Sequence, residues 1–229
     1  MTTAGISRSL VLLCCLASAA CHRKTEPSPD HPRLTPNVTI QNVTFRSTAL
    51  GQEVTHRVIL PVSIAASQKL SAVYLLHGNG GTFRDWSNYS DVARFAERGL
   101  ILVMPDGDAS YYVNVRMRPP DRYEDYLVQD LISDVEAKFP VNSGRSHRAI
   151  IGISMGGFGA VNLSLKHPDL FIFAAGMSSA IDVPRRPFSF KRMGQYREHE
   201  AIFGQWGTVT RRRNDPFLRV QSVEPSRAP

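Results

Sequence analysis

The sequence predicts an α/β fold built on a mostly parallel sheet, and three observations carry that expectation. Residues 72–76 and 100–104 are continuously apolar, as strands buried on both faces are. Each run ends in a turn signal, His77-Gly78-Asn79-Gly80-Gly81 in one case and Pro105-Asp106-Gly107 in the other, and a helical pattern at 92–98 lies between them. A third apolar run, 149–153, leads into Gly152-Ile153-Ser154-Met155-Gly156 and then a small-residue helical pattern. Strand alternating with helix is the order a parallel sheet requires.

The first twenty residues stand apart. Arg8 precedes an apolar run at 10–16, followed by Ala17, Ser18, Ala19 and Ala20, which is the layout of a secretory signal peptide (1–20) and is too short to span a membrane. Cys21 directly after Ser18-Ala19-Ala20 resembles a bacterial lipoprotein processing site, where the cysteine is lipidated. Ser18 departs from the leucine usual at that position, so ordinary cleavage after Ala17-Ser18-Ala19 stays open. Localisation is expected at the bacterial envelope as a lipoprotein, or in a secreted or periplasmic form. Cys14 and Cys15 leave with the signal, so the mature chain has no intramolecular disulfide, and cysteine chemistry is excluded as a mechanism.

Residues 21–36 are polar with four prolines and are expected to form an extended tether. The folded domain is expected at 37–229, and 42% hydrophobic with 21% charged residues is ordinary globular composition for one core. Alternation in Val38, Ile40, Val43 and Phe45, and again in Val54, Val58 and Leu60, predicts two half-exposed strands around a turn at Gly51. The clearest helix is 124–139, with Leu127, Val128, Leu131, Ile132, Val135 and Phe139 on one stripe. The helix after Ser154 should stop near His167-Pro168, and one more strand is expected at 171–175.

Beyond Ser179 regularity fades into an aromatic, basic excursion that either lines a pocket or packs on the sheet. The net charge of +7 gathers in Arg185-Arg186, Lys191-Arg192 and Arg211-Arg212-Arg213. No nucleic-acid recognition module surrounds these clusters, so they read as solvated surface.

Chemistry concentrates at Gly152-Ile153-Ser154-Met155-Gly156. A G-x-S-x-G pentad between an apolar strand and a helix reads as a nucleophile elbow, a strained turn whose flanking positions must lack bulk. Ser154 would then stand at a helix N-terminus, where free N–H groups and the helix dipole favour developing negative charge.

Tyr74-Leu75-Leu76-His77-Gly78, Pro105-Asp106-Gly107 and Gly152-Ile153-Ser154-Met155-Gly156-Gly157-Phe158-Gly159-Ala160 resemble the α/β-hydrolase esterases related to S-formylglutathione hydrolase. Tributyrin-type and feruloyl esterases and the mycolyltransferases are similar too. The resemblance covers roughly residues 37–218. It implies a three-layer α/β/α sandwich, a Ser-Asp-His triad acting on oxygen or sulfur esters, and no metal or other cofactor. By position, Ser154 matches the acylated nucleophile, while the backbone N–H groups of Met155 and Asn79 match the oxyanion-hole donors. His77 matches the oxyanion loop and is expected to be structural. The implied partner is a small-molecule or carbohydrate-linked acyl ester, with membrane contact only through a lipid on Cys21.

The resemblance breaks after Ser154. In this fold the acid follows the next strand and the histidine follows the last one. Residues 155–229 hold no convincing buried strand followed by an acid, and 214–225 read as a short helix ended by proline. The closing strands, the aspartate and the histidine are therefore expected to be missing, as in a shortened version of a longer hydrolase. His147 and His167 fall at the opposite edge of the sheet. Asp182 and His199 are in the right order, but the interval leaves no room for a strand and helix between them. Three functions stay open: a serine esterase, an acyltransferase of the mycolyltransferase type, and a catalytically impaired binding protein of the same fold.

Overall fold

The computed structural model describes residues 29–118, 120–224 and 226. The expected signal peptide and Cys21 lie outside the described residues. Strands β1 (Val38–Arg46) and β2 (Glu53–Pro61) form an antiparallel hairpin closed at Gly51, whose φ of 65° suits glycine. Strands β3 (Ser71–Leu76), β4 (Leu100–Pro105), β5 (Arg148–Ile153) and β6 (Phe173–Met177) are mutually parallel, and the six-stranded order is β1-β2-β4-β3-β5-β6. β2 joins the parallel part by antiparallel pairing with β4.

The continuously apolar strands are buried on both faces because helices cover both. Ala72, Tyr74, Leu76, Ile101 and Val103 point to one layer, and Val73, Leu75, Leu102 and Met104 to the other. The second layer holds the short helices α1 (Asp85–Tyr89) and α2 (Ala93–Ala96). The first holds α3 (Tyr123–Asp125), a π-helical stretch Tyr126–Leu131 and α4 (Ile132–Lys138), together with α5 (Met155–Lys166). This is the three-layer α/β/α arrangement.

Several elements differ from the sequence reading: the helix expected at 92–98 is Ala93–Ala96, and the one expected at 124–139 is α3, the π-helical stretch and α4 in succession. The strand expected at 171–175 runs from Phe173 to Met177, because Phe171 is fully buried with its ring edge against Tyr74. The excursion after Ser179 contains helix α6 (Met193–Phe203), then α7 (Val209–Arg213) and α8 (Pro216–Arg219). The inward stripe of α6 is His199, Ile202 and Phe203, so a histidine occupies a place that an apolar pattern would have marked.

The second half of the expected tether is not free of the domain. Residues 29–36 are without strand or helix, yet Asp30 pairs with the buried Arg57 of β2 and Arg33 N–H donates to Ser87 O. Arg57 needs a counter-charge, and Asp30 supplies it. At the other end of the sheet β6 is an edge strand among the described residues, with Ile172 and Phe173 about half exposed.

Candidate active site

Ser154 stands between β5 and α5 with φ 54° and ψ −113°, a backbone state rare for a residue with a side chain. Its own N–H donates to Met177 O at 2.8 Å, and its carbonyl accepts from Phe158 N–H at 3.0 Å and Ala180 N–H at 3.2 Å. Those bonds to α5 and to the chain after β6 hold the strained conformation. The turn closes only because its flanks are bare: a Cβ on Gly152 would lie 2.0 Å from Gly156 O, and one on Gly156 would lie 2.3 Å from Leu76 O. Ser154 itself is exposed, so its hydroxyl faces solvent.

The loop after β3 lies beside it. A Cβ on Gly78 would sit 3.6 Å from Ser154 Cβ, an ordinary contact distance, so the loop backbone runs directly alongside the serine. Among the described residues neither the Met155 N–H nor the Asn79 N–H has a backbone acceptor. Met155 opens a 12-residue helix, so its free N–H carries the positive end of the helix dipole. Met155 directly follows the exposed Ser154, and Asn79 directly follows Gly78, which packs beside Ser154.

His77 is fully committed to the loop's shape. Its Nδ1 lies 2.8 Å from Gly78 O, and its Nε2 meets Gly107 N–H at 2.9 Å and Asp106 Oδ1 at 3.4 Å. The Tyr112 hydroxyl donates to His77 O at 3.2 Å. Tyr112 fills the space that Gly107 and Gly159 leave, with φ 56° of its own. No periodicity marks Tyr112, and the sequence reading missed it.

The remaining histidines do not reach Ser154. His199 Nε2 meets the Tyr111 hydroxyl at 3.3 Å, and burial, then the charges of Arg186 and Arg211, depress its pKa to about 4. Asp182 gives both oxygens to Arg186, at 2.8 and 3.0 Å, so Asp182 and His199 form no acid–base pair. His147 is bonded to Ser71 at the start of β3, and His167 to Glu124 at the end of α5. Among the described residues no imidazole is hydrogen-bonded to Ser154 Oγ, and no three or more His, Cys, Asp or Glu gather as a metal site.

A cleft of about 320 Å³ opens next to the elbow, lined by His77, Gly78, Asp85, Trp86, Tyr89, Ser90, Ile153 and Met177. Its walls are mainly apolar, and two aromatic walls come from α1. The late aromatic excursion does not line it. Phe203 packs in the core against Tyr111 and Phe158, while Phe188 clusters with Phe190 and Tyr196.

Comparison with known proteins places these features. The Esterase family model matches residues 47–228. An acetyl esterase from Caldicellulosiruptor saccharolyticus is 28% identical over 183 residues, covering 74% of this chain and 68% of that protein. The diacylglycerol acyltransferase/mycolyltransferase Ag85B of Mycobacterium avium is 28% identical over 169 residues, covering 66% of this chain and 50% of the relative. The chain thus spans about two thirds of the first relative and half of the second. Among solved structures, S-formylglutathione hydrolase (FrmB) from Staphylococcus aureus aligns with a TM-score of 0.66 at 24% identity, over 81% of this chain and 73% of that one. At that identity the likeness shows the α/β-hydrolase fold alone.

Proposed function

The chain belongs to the Esterase family, and from that premise we propose that it is an exported serine hydrolase that cleaves carboxylic or thio-esters through an acyl-enzyme on Ser154. The observation that carries this reading is the strained elbow at Ser154, which opens a helix and has the Gly78 loop packed against it. Ser154 Oγ attacks the ester carbonyl carbon, and the resulting oxyanion accepts from the Met155 and Asn79 N–H groups. Collapse expels the alcohol or thiol, and water then releases the acid from Ser154. Each oxyanion donor lowers the barrier by about 3 kcal/mol in hydrolases of this kind.

The Oγ proton passes to water or a buffer base, because no imidazole among the described residues takes it. Turnover by these 229 residues is therefore expected well below ordinary enzyme rates, at the roughly 10³–10⁴-fold acceleration that binding and an oxyanion hole sustain alone. The substrate is a small-molecule or carbohydrate-linked ester whose apolar acyl or aryl part enters the cleft walled by Trp86, Tyr89, Ile153 and Met177.

The test is hydrolysis of p-nitrophenyl acetate, with fluorophosphonate labelling, in wild type and Ser154→Ala. Labelling confined to Ser154 and loss of turnover in the variant are expected, and equal turnover in both proteins overturns the reading. Similarity to a mycolyltransferase supports acyl transfer as a second reading. Adding an acceptor alcohol and measuring the new ester against free acid decides between them. Export with lipidation at Cys21 is part of the proposal, and the mass of the mature protein tests it: an unmodified or different N-terminus removes the anchor.

A further inference from the structure

We propose that Asp30 and Arg57 are positioning residues of the active site: the segment before β1 clamps the oxyanion loop and α1, and through them the cleft, by an ion pair between the half-exposed Asp30 and the buried Arg57 guanidinium. The inference rests on the ester-cleavage reading above for its catalytic consequence, while the clamp itself is a matter of structure.

Arg57 lies on β2 with the parity of Ile59, so its side chain enters the layer that holds α1 and α2. It is 1% exposed. Its Nε donates to Asn42 Oδ1 at 2.9 Å, on the β1 residue directly opposite. Nη1 donates to Ser87 Oγ at 2.8 Å and to Asp30 Oδ1 at 3.0 Å, and Nη2 donates to Asp30 Oδ2 at 2.5 Å. Asn42 and Ser87 are neutral, so Asp30 is the one carboxylate bonded to this guanidinium among the described residues. A buried cation without its anion is costly, and relief comes by letting water in or by moving the groups around it.

The groups around Arg57 are those that build the site. Its guanidinium lies 5.5 Å from the Phe83 ring centre, and Arg84 lies 5.3 Å from the same ring and 4.0 Å from Asp30. Ser87 is held twice, by Arg57 through its hydroxyl and by Arg33 N–H through its carbonyl. His31 sets its ring edge against Tyr89. Toward Ser154 the same unit continues: Asp85 Oδ1 accepts from the Thr82 N–H and hydroxyl, and Gly81 N–H donates to Gly78 O.

Residues 78–89 thus form one body that carries the Asn79 N–H at one end and Trp86 and Tyr89 at the other. α1 is five residues long and has no side-chain cap, so its position comes from these tertiary bonds rather than from helix stability of its own.

The experiment compares the full chain with Asp30→Asn, Asp30→Glu and Ser87→Ala, reading amide hydrogen exchange peptide by peptide and the rate of fluorophosphonate labelling. In Asp30→Asn, exchange across 78–90 is expected to rise at least tenfold while 148–166 keeps wild-type protection, with labelling of Ser154 slowed about tenfold. Asp30→Glu is expected to recover most of both losses. Ser87→Ala removes the bond from Arg57 and the bond that the Ser87 hydroxyl donates to Arg84 O, leaves the Asp30 pair in place and serves should Asp30→Asn not fold; it is expected to give the same local pattern at two- to fivefold.

Unchanged exchange at 78–90, or a rise spread evenly over the chain, overturns the clamp. Local loosening with labelling unaffected overturns its catalytic role. Wild type that never labels at Ser154 overturns the ester-cleavage reading instead, and the exchange data still decide the clamp.

Discussion

At Gly156 a single methyl group has nowhere to go, because its Cβ would meet Leu76 O at 2.3 Å and His77 O at 2.6 Å, both rigid backbone. Gly156→Ala is expected to cost about 3 kcal/mol or more, a fall in Tm of roughly 6–12 °C for a chain this size, read by thermal denaturation. Gly194→Ala is the control: its Cβ meets nothing within 4 Å in α6, and a slight stabilisation is expected. His56 gives a second prediction at this scale. Both its ring nitrogens are buried without hydrogen bonds and Asp134 Oδ2 stands 3.7 Å away, so burial outweighs that carboxylate and lowers the pKa to about 4. Between pH 6.5 and 4 the unfolded chain binds a proton that the folded chain refuses, so stability falls as pH falls. The loss is about 2 kcal/mol at pH 5, and denaturant titrations of His56→Phe are expected to show that slope removed.

The Glu124 network links elements that are far apart in sequence. Glu124 of α3 pairs with Lys166 and with His167 at 2.9 Å at the end of α5, and Lys166 reaches Asn214 Oδ1 at 3.1 Å, before α8. Asn162 Nδ2 donates to the same oxygen at 3.3 Å. Glu124→Gln leaves Lys166 short of its anion and is expected to cost about 3 kcal/mol, with the first loss of amide protection in α7 and α8. Burial would raise the Glu124 pKa, but the His167 and Lys166 contacts outweigh it and hold the carboxyl below its ordinary 4.5. The stability it lends is therefore complete above that value and is lost as pH drops below it, a window distinct from that of His56. These elements also show what a sequence can display. Strands buried on both faces advertise themselves by unbroken apolar runs, the helix stripe of Leu127, Leu131 and Val135 by its period, and the elbow by its glycines. α1 offers five residues with a polar majority, and its Trp86 and Tyr89 become cleft walls only through Arg57 and the segment before β1. That dependence joins residues 30, 57 and 87, and no local pattern records it.

Across the whole molecule the sheet is covered on both faces and uneven at its rims. Among the described residues β1 ends one side as a nine-residue antiparallel strand, while β6 ends the other with Phe173 51% exposed and Ile172 nearby. An apolar edge of that kind templates pairing between chains. Phe173→Lys is expected to lower concentration-dependent light scattering while shifting Tm by no more than about 2 °C. One strand in from the opposite rim, His56 and Arg57 are neighbours on β2 that enter opposite layers, one a neutral ring beside Phe45 and the other a cation on Asp30. Slipping β2 by one residue would exchange them, driving a guanidinium into the layer of Phe45 and Tyr126 and leaving an imidazole for Asp30. Two adjacent letters of the sequence thereby work as a parity bit for the sheet, rejecting every odd misalignment of the first hairpin at the cost of a stranded charge.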